Sequence, residues 1–303
     1  MFLIQKQYNY IMKKQKKKKH HGHLHPYLGS VGIFLIVFAQ ITNFLKIEPL
    51  VYWYIAMMWY GYILIVDSMV YLLKKHSYII NRPKRMIVLI ILSTIFWLIF
   101  EFYNRFVPAW HYIGTPIEPG KCIPCYFAIS TILPAVFETV ELIKGLKFFR
   151  KTKIEKIKIH KSLPYISIFI GVIFLIIPFF YPSPLMWVLI WAGFIFLLDP
   201  INYFFHEKSL ISQVKSGKLF IILSVFLAGY VCGFFWEFWN SWAYTKWEYN
   251  WQYDIPAFGF FKIFEMPILG YIPYGFFAWE LYAMYYFAKL LFPKELEKEL
   301  ELE

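Results

Sequence analysis

Eight apolar runs succeed one another along this chain, at 27–45, 50–73, 86–106, 123–144, 162–181, 185–206, 218–240 and 267–292. Each is close to the ~20 residues that an α-helix needs to cross the hydrocarbon of a bilayer. A span in lipid must satisfy its own backbone hydrogen bonds, so each run reads as a helix and the fold class as an all-α, polytopic membrane protein. Composition agrees. At 59% apolar, 23% aromatic and a mean hydropathy of +0.50, the 303 residues carry too little polar surface to cover a soluble globule.

The net charge of +12 would suggest a nucleic-acid partner in a soluble protein. Here the cations fall in blocks between the apolar runs, and no nucleic acid is expected. If the segments 1–26, 74–85, 144–161, 207–218 and 289–303 face the cytoplasm, they hold 26 of the 31 Lys and Arg. The positive-inside rule then places the chain in the plasma membrane with both termini inside. MFLIQ is too short for the apolar core of a signal peptide and precedes its lysines, so the first span is expected to act as the insertion signal. The tail 1–26, with seven Lys and then His20, His21, His23 and His25, reads as a solvated arm over anionic lipid. A His-rich metal site is its alternative reading; the sequence assigns no metal and no cofactor.

The chain also reads as a duplication. Trp59, Gly61, Asp67, Tyr71 and Ser77 recur at identical spacing as Trp191, Gly193, Asp199, Tyr203 and Ser209. FEFYNRFVPAWHY, with Glu101, Asn104, Trp110 and Tyr112, is echoed by WEFWNSWAYTKWEY, with Glu237, Asn240, Trp247 and Tyr249. Residues 27–144 and 162–292 are thus expected to form parallel four-helix repeats, joined by the basic linker 145–161 and followed by a charged tail, 293–303, with a site at their interface.

Carboxylates inside spans are costly and mark candidate sites. Glu101 and Asn104, and likewise Glu237 and Asn240, are three residues apart and share a helix face near the outer end of a span. Asp67, Asp199, Glu138 and Glu280 form a second, inner level. Glu237 and Glu101 are the candidate acid and base, with Asn240 and Asn104 orienting them. Trp110, Tyr112, Trp247, Tyr249 and Trp236 are the candidate lining, although Trp and Tyr also collect at membrane interfaces without a ligand. The same polar pairs would equally serve as interhelical hydrogen bonds that fix packing. After each Trp-x-Tyr comes an irregular Pro-marked loop, 108–119 or 250–267, that reads as an outer lid. Cys122 and Cys125 form a lone CxxC on the oxidising side, with a structural or a thiol-redox role open; Cys232 reads as packing.

The order of an Asp, then Trp-x-Tyr, then Pro with an acid inside the next span resembles the integral-membrane lycopene cyclases. In the first half it is carried by Asp67, Trp110, Tyr112, Pro116 and Glu138, and in the second by Asp199, Trp247, Tyr249, Glu265, Pro267 and Glu280. The cyclases' Pro-x-Glu-Glu core is missing, and an extra span separates Asp from Trp-x-Tyr. FWEFWN, KWEYNWQYDIP and KIFEMPILGYIPYGFFAWELYAMY are similar to phrases of a broad prokaryotic family of duplicated polytopic membrane proteins, over residues 50–290. The cyclase resemblance implies acid–base chemistry on an isoprenoid. The expectation is therefore an intramembrane enzyme acting on a lipid or isoprenoid, a lycopene-cyclase-like isomerase or another lipid-modifying enzyme, its acids moving protons beside an aromatic cavity that shelters a cationic intermediate. The opposing expectation is a proton- or cation-coupled transporter with the two acid levels as stations along its path.

Overall fold

The computed structural model describes residues 24–115, 122–147, 149–250 and 261–293. His20, His21 and His23, Pro116, Trp251 and the tail from residue 294 lie outside them. The helices, in chain order, are α1 (Leu24–Phe44), α2 (Tyr54–Lys74), the short α3 (Tyr78–Asn81) and α4 (Pro83–Phe106), then α5 (Ile123–Ile129) and α6 (Ile132–Leu146). There follow α7 (Leu163–Phe180), α8 (Trp187–Phe204), α9 (Leu210–Ser216), α10 (Phe220–Trp242) and α11 (Pro273–Lys289). Four short strands complete the described chain: β1 (Trp110–Ile113), β2 (Lys246–Tyr249), β3 (Lys262–Ile263) and β4 (Met266–Pro267).

Seven helical segments are long and apolar enough to cross a membrane, and they match the first seven runs within a few residues. The protein is an integral membrane protein on that ground. The eighth run differs from the expected continuous span. Pro267 and Pro273 divide it into a 3-10 turn, Ile268–Tyr271, and the 17-residue α11. Prolines lack the N–H that would carry a helix through. Helix α11 carries Glu280, Tyr282, Tyr285 and Tyr286, all buried, because it packs inside the bundle against α8 and α10. Interior position explains its lower hydropathy.

The first helix of each set lies outermost. α1 packs on α2 and α7 on α8, and both leave large apolar side chains such as Phe34 and Phe169 exposed where lipid would cover them. Glycines allow these contacts. A Cβ on Gly61 would stand 2.7 Å from Ile36 and 2.8 Å from the Gly32 carbonyl oxygen, and one on Gly171 would stand 2.9 Å from the Gly193 carbonyl oxygen. Small residues that let backbones approach are the usual basis of helix packing in lipid. Gly61→Leu is expected to separate α1 from α2 at a cost of about 1–3 kcal/mol, the usual range for overpacking. Its check is a lowered thermal midpoint in detergent, with the same change on the lipid-facing Ile87 as control.

At one end of the bundle β1 and β2 pair antiparallel, with Trp110 opposite Tyr249, His111 opposite Glu248, Tyr112 opposite Trp247 and Ile113 opposite Lys246. The ribbon joins the segments that follow α4 and α10, and so ties the two halves together directly over the Glu-Asn phrases.

Candidate functional site

The outer carboxylates come from α4 and α10, and the ribbon supplies their partners. Glu237 is fully buried. Its Oε1 accepts the hydroxyl of Tyr249 at 2.6 Å and that of Tyr274 at 2.5 Å, while Trp247 Nε1 donates to Tyr249 at 2.9 Å. Glu101 is half-buried and repeats the arrangement. Its Oε1 accepts the Tyr112 hydroxyl, Trp97 Nε1 at 2.8 Å and Trp110 Nε1 at 3.3 Å, and Trp110 also donates to Tyr112 at 3.2 Å. Burial, reinforced by the Glu101 carboxylate, pushes the Tyr112 phenol well above its ordinary pKa; burial and Glu237 do the same to Tyr249. Both phenols are therefore held protonated as donors.

The asparagines do something other than orient these acids. Asn240 Nδ2 donates to the Trp247 carbonyl at 2.8 Å and its Oδ1 accepts the Trp247 N–H at 3.0 Å. Asn104 does the same for the other strand, donating to the Trp110 carbonyl at 2.9 Å and accepting the Ala109 and Trp110 N–H groups. Each side chain clamps the backbone of a ribbon strand to the helix carrying the glutamate. Tyr112 and Tyr249, two residues farther on, are delivered to the carboxylates by that clamp.

Aromatic rings link the two centres. Trp97 lies 5.7 Å from Trp110 and 5.3 Å from Trp236, and Trp236 lies 5.2 Å from Trp247, centroid to centroid. All five candidate lining residues take part in this wall or in the hydrogen bonds beneath it. Two members were not read from the sequence. Trp97 precedes Glu101 by one helical turn, a spacing that would have found it. In the second half that position is Gly233, and the Tyr274 ring fills the space: a Cβ there would come within 2.4 Å of it. Tyr274 supplies the donor that Trp97 supplies in the first half, from a different helix and with no spacing signal.

The inner acids are not brought together with the outer pair. Asp67 accepts the Ser77 hydroxyl at 2.6 Å and the backbone N–H groups of Tyr78 and Ile79, capping α3. Asp199 accepts the N–H groups of Leu210 at 2.5 Å and Ile211 at 3.0 Å, capping α9. Carboxylates are favoured at helix N-termini because the first N–H groups have no partner within the helix. Asp199→Leu is expected to lose about 1–3 kcal/mol, the usual penalty for stranding buried donors. Faster proteolysis near residues 205–209 would show it, and Asp199→Asn should recover most of the loss.

Glu138 and Glu280 are fully buried, and neither makes a hydrogen bond with a described residue. Asp67 and Arg85 are the nearest charged groups acting on Glu138, and Tyr103 lies near Glu280. Arg85, buried under Tyr78 with its guanidinium 3.8 Å from the ring centroid, is a deep cation that the sequence reading passed over. Cys122 and Cys125 are joined in a disulfide at the start of α5. Among the described residues, no three His, Cys, Asp or Glu side chains are grouped to hold a metal ion.

Compared with family models, with curated proteins and with solved structures, the chain matches none.

Proposed function

We propose that this protein is an intramembrane enzyme that acts on a lipid or isoprenoid by carboxylic acid–base chemistry, with Glu237 as the group that exchanges a proton with the substrate. The observation that carries this reading is the state of Glu237. It is fully buried, two phenols load one of its oxygens, and the other, Oε2, accepts no hydrogen bond from a described residue. A carboxyl group so placed has one oxygen fixed and one left to act, in an apolar surround that suits a general acid or base. The tryptophan wall suits a cationic intermediate, since cation–π attraction reaches about 2 kcal/mol or more at desolvated contacts. The resemblance to lycopene cyclases favours an isoprenoid. Glu101, half-buried and with three donors on one oxygen, is the companion that receives or returns the proton.

The two halves are read as parallel repeats about an axis along the membrane normal, with both ends of the chain cytoplasmic. The register of the ribbon supports that reading. Exchange of the halves carries Trp110–Tyr249 onto Trp247–Tyr112 and leaves the pair His111–Glu248 on itself. The matched asparagine clamps and aspartate caps support it too. On this reading α11 completes the second repeat as the counterpart of α5 and α6.

The transporter reading draws on Glu138 and Glu280, which stand buried without hydrogen bonds from described residues. It is weakened because Asp67 and Asp199, its inner stations, are engaged as helix caps. Lipid extracts of cells with and without the protein, compared by mass spectrometry, test the enzyme reading: a lipid consumed and another formed is the expected result. Unchanged lipids together with proton flux in proteoliposomes would overturn it in favour of transport.

A further inference from the structure

The end of the bundle that carries the basic segments holds a cluster separate from the outer carboxylates. A cleft of about 230 Å³, its open mouth included, is lined by Glu141, Lys144, Lys208, Ile221, Tyr282 and Tyr286 among others. Ile221 and Glu237 lie on the same helix sixteen positions apart, which at 1.5 Å per residue separates the cleft from the outer centre by about 24 Å. The inference below therefore stands or falls independently of the function proposed for Glu237.

Cations outnumber carboxylates around this cleft. Lys74 and Lys144 share the single carboxylate of Glu141, at 2.5 and 2.8 Å. Lys289 is held by Glu207 at 3.0 Å and stands 5.7 Å from the centre of the Tyr286 ring. Arg85 has Glu141 and Tyr286 among its electrostatic neighbours. Lys74, Lys144, Lys208, Lys289 and Arg85 thus face Glu141 and Glu207, and they stay in excess even if the neighbouring Glu138 is ionised. Like charges gathered at a low-dielectric boundary repel, and an anion placed among them is attracted by each. Lysines are point-charge partners for phosphate, and Tyr282 and Tyr286 bring phenol groups to the same wall.

We infer that this cleft is a binding site for a phosphate group, held among Lys144, Lys208 and the tyrosines. The space accommodates a phosphate or diphosphate but not a folded acyl chain. Exposed apolar side chains at the same end, Phe205 beside Lys208 in the chain and Leu291 beside Lys289, would lie along the tail of an amphiphile whose headgroup entered the cleft. The two sources of the group are a lipid headgroup and free inorganic phosphate.

The test uses the full-length protein in neutral detergent, titrated with dioctanoyl phosphatidate in one arm and inorganic pyrophosphate in the other, with thermal stability as the readout. Saturable stabilisation is expected, and Lys208→Gln should weaken the apparent affinity at least tenfold. Lys208 lies in a connection between helices, so this change should not compromise folding. Lys151→Gln with Lys156→Gln, which removes the same kind of charge from the basic linker, should leave the titration unchanged. A response to phosphatidate alone identifies a lipid headgroup; an equal response to pyrophosphate identifies the free anion. Absence of stabilisation by either probe, or equal weakening by the Lys208 and linker variants, would overturn the site.

Discussion

Glu237→Gln will yield a folded, membrane-inserted protein with a hundredth or less of its activity. Glutamine keeps the shape of the side chain, and its Oε1 still accepts the Tyr249 and Tyr274 hydroxyls that hold Glu237 at 2.6 and 2.5 Å. What it loses is the exchangeable proton on the oxygen that no described residue engages. General acid–base catalysis contributes about 10²- to 10⁴-fold, which sets the scale of the loss. A thermal midpoint near that of the wild type would show that the defect is chemical. Glu101→Gln should reduce turnover as well. Should both variants retain full turnover, the outer carboxylates are packing marks and the chemistry belongs to Glu138 or Glu280.

Asn240→Leu is expected to damage stability and activity together. The substitution removes both hydrogen bonds to the Trp247 backbone, at 2.8 and 3.0 Å, and buries an apolar group against a stranded N–H and carbonyl. Each group left without a partner costs about 1–3 kcal/mol, so the sum is roughly 2–5 kcal/mol. With β2 released, Tyr249 and Trp247 no longer reach Glu237. Tyr249→Phe separates the two effects, since it leaves the clamp intact and removes only the phenol donor. Thermal unfolding should therefore rank Asn240→Leu well below Tyr249→Phe, while turnover should fall in both. Similar midpoints for the two would mean that the asparagine is not what holds the ribbon.

The membrane helices were legible because a run of about twenty apolar residues has few alternatives in structure. The break between α5 and α6 and the splitting of the eighth run were not, because hydropathy averages over prolines and over a buried helix that carries polar groups on purpose. At the site, the Glu-Asn phrase pointed to the right residues for half of the right reason. Glu101 and Glu237 are where the aromatic partners converge, but Asn104 and Asn240 serve backbone that only the paired ribbon brings within reach. Nothing local in WHYI or KWEY announces that the two strands will pair across the halves. Asp67 and Asp199 carried a readable clue in Ser77 and Ser209, each ten residues on, which act as N-caps of α3 and α9. Tyr274 had no such clue, since it enters from α11 into the space that Gly233 leaves.

Solvent-proton transfer by Glu237 is the central claim, and deuterium uptake measures it directly. Membranes holding equal amounts of wild-type or Glu237→Gln protein are incubated with total lipid extract in deuterated water, and the lipids are analysed by mass spectrometry. The account predicts a product that carries solvent-derived deuterium with the wild type and is absent with Glu237→Gln. The same product, equally labelled and equally abundant with both proteins, would contradict it.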